Sequence, residues 1–314
     1  MPHVVHVFTV PLSLMFLRGQ GAFMRERGYR LTAVCAPGPE IDAFTREEQV
    51  PVHTVPMARK ITPLEDVVTL RSLALLLRRL EPDIVHAHTP KGGLLGTTAA
   101  AAARVGVRIY QLRGLPLVTA RGLQRVLLTG TERVACGLAT HVLANSASLR
   151  DAVAGRVVAR SKVTVLGAGS GNGVDCDGRF APGGERARAG AALRASLGVG
   201  QAPLVGFVGR LVRDKGIVEL ADAWKVVRER VPEARMVIAG MFEERDPVPE
   251  PVRRALESDP RVHLLGFVRD TAPVHAAIDV LAFPSHREGF PNVPIEAGAL
   301  EKPVVGAASA GSRR

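Results

Sequence analysis

Aromatic residues make up only 4% of the 314 positions, with one Trp and two Tyr. So few rings argue against a platform on which nucleic-acid bases could stack, and nucleic acid is not an expected partner. Cysteine is scarce as well: Cys35, Cys136 and Cys176 are odd in number and lack metal-ligand spacing, which speaks against a disulfide scaffold and fits a reducing, cytoplasmic compartment. No run of Lys and Arg forms a basic arm, although the formal net charge is +11. No apolar stretch is long enough to span a bilayer. Val4 to Leu17 is apolar, but it has no basic segment ahead of it, no small-residue cleavage site, and contains Pro11. The glycines around Gly167 to Gly173 fit neither G-x-G-x-x-G, whose last position falls on Asn172 or Val174, nor a G-x-x-x-x-G-K-[ST] phosphate loop.

What is present is the composition of a globular protein, 46% hydrophobic and 23% charged, on a chain long enough for two domains. Short β-rich runs alternate with helical stretches, the pattern of βαβ units around a parallel sheet. Strands are expected at His3 to Thr9, Arg30 to Cys35, Val52 to Val55, Asp83 to His88, Arg108 to Leu112, His141 to Ala144 and Lys162 to Leu166, with helices over 18–27 and 64–80. A Gly-rich passage, 167–175, breaks the rhythm, and an Arg/Ala/Gly segment follows. A second series then begins: strand 204–209, helix 217–231, strand 235–239, helix 252–257, strands 262–265 and 278–283 and helix 293–300. The fold class expected is α/β, with doubly wound domains at 1–180 and 200–314 and a linker at 181–199. Gly311 to Arg314 carry no capping or closing-strand signal, so the second domain is expected to be incomplete.

Four constellations carry chemistry. Glu288-Gly289-Phe290-Pro291-Asn292 and Glu296 join a strand to a helix, and such a junction lies at the carboxyl edge of a parallel sheet, where free N–H groups suit phosphate or sugar oxygens. Gly209-Arg210-Leu211-Val212-Arg213-Asp214-Lys215-Gly216 sets two cations on a Gly-bounded turn at a strand end; Arg offers a bidentate fork and Lys a mobile charge, the pair that suits a diphosphate. His88 ends a strand in His86-Ala87-His88-Thr89-Pro90 and can offer side chain or backbone to a ligand. His86 reads as a satisfied core histidine, and the pair lacks a third ligand for a metal. Asn172-Gly173-Val174-Asp175 reads as a turn.

The first two of these elements, with the His-x-His-x-Pro and N-G-V-D elements, resemble those of family-4 retaining glycosyltransferases of the GT-B fold. The resemblance implies two Rossmann-like domains facing across a cleft. It implies a nucleoside diphosphate sugar donor, UDP-linked, with Arg210 and Lys215 on the diphosphate, Glu288 on the sugar hydroxyls and Glu296 on the ribose. Gly209 and Gly289 to Asn292 complete the donor site, His88 stands at the donor sugar, and Asn172 and Asp175 shape the interdomain crevice. The diphosphate is held by protein cations, so neither a metal nor another cofactor is implied. The reaction implied is transfer of a hexose or N-acetylhexosamine with retention, to a lipid-linked or cell-envelope glycan acceptor. One departure from the family pattern is the turn after the first strand, Val10 to Gly19, which is bulky rather than Gly-rich; Ser13 and Arg18 stand there as candidate contacts.

Leu70 to Leu80 and Arg113 to Arg125 mix apolar and basic residues, as segments on a membrane surface do. Buried helices with a solvated edge have the same composition. The first reading places the protein peripherally at the inner face of the membrane. Two alternatives to transfer stay open at this level: a sugar-nucleotide 2-epimerase, and a truncated, non-catalytic subunit that binds a nucleotide sugar.

Overall fold

The computed structural model describes residues 1–307 apart from Ile61 and Arg245, and of Val118 and Thr119 the backbone alone. The expectation drawn from Gly311 to Arg314 lies outside these residues. The chain divides into two compact units, Met1–Asn172 and Gly173–Arg314.

In the first unit β1 (His3–Val7), β2 (Arg30–Cys35), β3 (Val52–Thr54), β4 (Ile84–His88), β5 (Val107–Leu112), β6 (His141–Ala144) and β7 (Val163–Thr164) form one sheet in the order β3-β2-β1-β4-β5-β6-β7. Every pairing is parallel. All five residues of β1 and five of six in β2 are buried, because helices cover both faces of such a sheet and leave no side for alternation. In the second unit β8 (Leu204–Val208), β9 (Arg235–Ala239), β10 (Val262–Gly266), β11 (Val280–Phe283) and β12 (Val304–Gly306) repeat the plan as β10-β9-β8-β11-β12, again parallel. Each sheet winds outward from its first strand and then returns to that strand's other side. The direction reverses between β1 and β4 and between β8 and β11, and at those points the strand ends open a crevice that takes ligands.

The expected α/β architecture holds, while several helices were not foreseen. Pro90–Ala102, which follows β4, carries Gly92, Gly93 and Gly96, and glycine weakens a helix in isolation. Tertiary packing explains them: a Cβ on Gly93 would stand 2.0 Å from the Tyr110 ring of β5. Only glycine lets this helix lie so close to the sheet. The stretch 181–199, expected as a linker, contains the helix Gly184–Ser196. Leu193 and Leu197 pack on the core of the second unit, and Arg194 donates to the carbonyls of Gly200, Ala202 and Ala277. The division between units therefore falls before this segment rather than within it.

Candidate active site

At the β8/β11 reversal two loops are stitched together. The loop after β8 makes a short 3-10 turn at Arg213–Lys215 and ends on Gly216, whose φ is +73°. A side chain there would meet the Pro284 carbonyl oxygen at 2.2 Å, so glycine is required both for conformation and for the approach of the loop that follows β11. Asp214 fastens the two. Its carbonyl accepts from the His286 amide (2.9 Å) and the Ser285 hydroxyl (3.3 Å), and its carboxylate takes the Arg287 guanidinium, with Nε at 3.1 Å. This register delivers Lys215 Nζ to Glu288 Oε1 at 2.6 Å, both side chains being largely buried. Arg210, more exposed, pairs with Glu243 at 3.0 Å. Asn292 opens the helix Asn292–Ala299 and donates from Nδ2 to the Gly173 carbonyl (3.4 Å), while its Oδ1 is buried without a partner among the described residues. One turn on, Glu296 Oε2 accepts from His275 Nε2 (3.2 Å) and Thr271 Oγ1 (3.4 Å).

The β1/β4 reversal has a different chemistry. His6 and His86 are opposite one another in the register, and His88 lies two residues on, 1% exposed. Its ring stacks on Phe8 (centroids 4.3 Å apart, planes 6°) and meets His86 at a tilt (4.1 Å, 31°). Arg113 Nε donates to His88 Nδ1 (3.3 Å), so the proton of His88 sits on Nε2 and is given to His6 Nδ1 (3.0 Å). The guanidinium also donates to the Gly171 carbonyl (2.6 Å) and lies over the Phe16 ring at 4.2 Å. Burial, with Arg113 alongside, pushes His6 down to about 3, and His86 and His88 also fall well below the ordinary imidazole value. Burial lowers Arg113 itself to about 10. The three imidazoles have nitrogens within 4.8 Å of one another, the third ligand absent from the sequence reading. Yet His6 and His88 are nearly parallel, at 13° and 5.3 Å between centroids. Rings so disposed do not aim in-plane lone pairs at a common ion, and both nitrogens of His88 are already engaged.

Comparisons with known proteins agree with this arrangement. Residues 15–169 match the model of a glycosyl transferase 4-like domain, and residues 202–314 match glycosyl transferases group 1. The capsular polysaccharide biosynthesis glycosyltransferase CapM of Staphylococcus aureus is 34% identical over 303 residues, covering 96% of this chain and 78% of that protein. The chain belongs to the family-4 type glycosyltransferases. An Escherichia coli relative, UDP-Gal:alpha-D-GlcNAc-diphosphoundecaprenol alpha-1,3-galactosyltransferase, is 28% identical over 274 residues, covering 85% of this glycosyltransferase and 68% of the relative. The fold matches that of Anabaena HepE, solved with UDP-glucose, at a TM-score of 0.80 and 23% identity over 99% of this chain and 82% of that one.

Within the glycosyltransferase, the residues singled out from sequence do not all come together. Lys215 meets Glu288, whereas Arg210 is turned to Glu243 and Glu296 to His275 and Thr271. The side chain of His88 has no nitrogen left for a sugar, which leaves its backbone as the part able to bind one. His86 is not the fully satisfied core histidine expected, since its Nε2 is buried without a partner among the described residues. Asn172 accepts from Gln20 Nε2 (2.5 Å) and donates to the Arg18 carbonyl (3.1 Å), which makes it a tie within the first unit. Asp175 caps its own turn through the amides of Gly178 and Arg179, both at 2.9 Å. After β1 the bulky segment forms a 3-10 turn, Pro11–Leu17, with Leu14 and Leu17 buried; Arg18 reaches only Glu47, at 4.0 Å. Arg113 is half-buried, with its guanidinium tied to His88 and the Gly171 carbonyl. Leu75 and Leu123 are exposed within the two stretches singled out, and further exposed apolar residues lie next to them, at Leu64, Val67 and Val68 on one helix and Val126 and Leu127 on another. No helix among the described residues is long and apolar enough to cross a membrane. Sequence reasoning missed His6, Asp214, Thr271, His275 and Arg287. Only for His6 was there a signal, because it shares with Phe8 the period-2 face of β1.

Proposed function

We propose that this glycosyltransferase moves a hexose or N-acetylhexosamine from a UDP-linked sugar to a lipid-linked or cell-envelope glycan acceptor, with retention of anomeric configuration. The observation that carries the reading is the 2.6 Å contact of Lys215 Nζ with Glu288 Oε1 at the β8/β11 reversal. A cation suited to a diphosphate and a carboxylate suited to sugar hydroxyls stand at one point, and a sugar diphosphate presents those two groups side by side. Arg210 is the second cation. It is exposed, and its ion pair with Glu243 is a kind of contact that exchanges at little cost.

As the glycosidic oxygen parts from the anomeric carbon, negative charge grows on the leaving diphosphate, and Lys215 and Arg210 stabilise it as fixed cations. The acceptor hydroxyl attacks from the face that the diphosphate leaves. Glu288 stays a hydrogen-bond acceptor for the sugar and forms no covalent bond. In this reading protein charges do the work that a divalent ion would do on a diphosphate, so no metal is called for. A lipid-linked acceptor is in keeping with the name of the Escherichia coli relative and with the exposed apolar residues of the first unit, and a cell-envelope glycan with the name of CapM.

The test is a panel of radiolabelled nucleotide sugars, incubated with the chain and undecaprenyl-diphosphate-linked sugar acceptors. Label passing into the lipid fraction, with net retention at the new linkage, supports the reading. Interconversion of the donors without acceptor, or transfer that persists in Glu288→Ala, overturns it.

A further inference from the structure

The residue that the proposed reaction leaves unused is His275. It sits in the last turn of the short helix Ala272–Ala277, fully buried, with Phe180 edge-on at 6.1 Å. Its Nδ1 is buried and has no hydrogen-bond partner among the described residues. An orphaned buried ring nitrogen is costly, and nothing in the surrounding apolar packing of Phe180, Ala272 and Leu300 needs an imidazole. What the ring does have is one bond, from Nε2 to Glu296 Oε2 at 3.2 Å. Facing a carboxylate, Nε2 must carry the proton. Thr271 Oγ1 donates to that same oxygen at 3.4 Å. Both donors therefore converge on Oε2, and Oε1 carries no hydrogen bond among the described residues.

We infer that His275 and Thr271 are positioning residues that hold Glu296 by one oxygen and turn the other toward the nucleotide ribose, so that the site distinguishes ribose from deoxyribose. The inference rests on the role that the family resemblance implies for Glu296, contact with the ribose of the proposed nucleotide-sugar donor. A carboxylate on a free side chain spends its time in several rotamers and gains less from each diol it meets. Pinned by a buried imidazole, it presents a fixed acceptor to vicinal hydroxyls. The imidazole touches no substrate atom.

The experiment uses the full chain and free nucleotides. UDP, GDP and ADP are titrated calorimetrically, and the tightest binder is compared with its 2′,3′-dideoxy form. The unsubstituted protein is expected to prefer the ribonucleotide roughly tenfold, the worth of a charge-assisted hydrogen bond. Glu296→Ala should abolish the preference. His275→Leu should lower it to about two- or threefold, and Thr271→Val should lower it less. His275→Gln, whose side-chain amide can still donate, should recover most of it, a rescue that a purely space-filling role would not produce. If Glu296→Ala abolishes the preference but neither His275→Leu nor Thr271→Val changes it, the positioning role is overturned and the ribose reading stands. If Glu296→Ala leaves the preference intact, or no nucleotide binds, the ribose reading fails and the inference falls with it. Should His275→Leu not fold, Thr271→Val and His275→Gln decide: an unchanged ratio in the first, or a lost one in the second, overturns the proposal.

Discussion

The two sheet reversals are built on the same topology and filled with opposite chemistry. At β1/β4, Phe8, His6, His86 and His88 form a stacked, neutral cluster with one half-buried guanidinium tied into it. At β8/β11 the side chains are formally charged and paired, Lys215 with Glu288 and Asp214 with Arg287. A parallel sheet whose strand order reverses supplies a crevice in either case, but what the crevice can do depends on whether its groups remain free to exchange partners. A ring packed face to face on Phe8 and hydrogen-bonded at both nitrogens, as His88 is, has no capacity left for a ligand. Ion pairs can trade a carboxylate for a phosphate. The first reversal is thus suited to holding shape, and the second to binding charge.

The largest expected effect breaks the charged reversal. Lys215→Ala and Glu288→Ala should each reduce kcat/KM for transfer by about 10² to 10³. Because the two share a bond, the double variant should be only slightly worse than either single one, which steady-state kinetics would show. Additive losses would mean that the pair does not act as a unit.

The neutral reversal should reveal itself in stability rather than in rate. His6 is held at about 3 in the folded protein against an ordinary 6.5, so the unfolded chain binds the extra proton. The resulting stability is fully present above pH 6.5 and is lost as pH falls toward 3. From this residue alone the loss is about 2 kcal/mol between pH 6.5 and 5, and His86 and His88, both also held low, should steepen it. Urea midpoints across that range give the slope, and His6→Phe should flatten it. Elsewhere in the same unit, Glu132 works in the other direction. Burial raises it to about 7 although it accepts from the Tyr110 hydroxyl at 2.9 Å. Its stabilisation is full below pH 4.5 and disappears as pH rises through 7, by on the order of 3 kcal/mol at pH 8. Glu132→Gln should remove that alkaline loss.

Smaller effects test what sets each reversal in place. Gly93→Ala drives a methyl into Tyr110 and should lower stability by about 1–3 kcal/mol, read from denaturant midpoints. A chelator is expected to have the smallest effect, leaving the transfer rate within about twofold if protein cations alone hold the diphosphate. A strong fall in rate would show that the charged reversal works with an ion.

Much of the fold was legible because apolar runs of strand length separated by helical stretches admit few arrangements other than a parallel sheet. Gly209-Arg210 to Lys215-Gly216 and Glu288 to Glu296 could be read as ligand loops for the same reason, each lying at a strand's carboxyl end. The helix Pro90–Ala102 was not legible, since its glycines are explained by Tyr110, seventeen residues beyond Gly93 and on another strand. The surroundings of His88 were not legible on similar grounds. Its partners, His6 and Arg113, lie 82 and 25 residues away in the chain.

By itself, then, the sequence determined the α/β class, the positions of the strand ends and which loops carry paired charges, because those follow from local periodicity and from residues close together in the chain. Tertiary structure alone decided which charges meet, which imidazoles are spent on one another, and that Glu296 is held from behind by His275. These are consequences of burial and of contacts between distant strands. No local pattern encodes the desolvation of a side chain or the partner that compensates it.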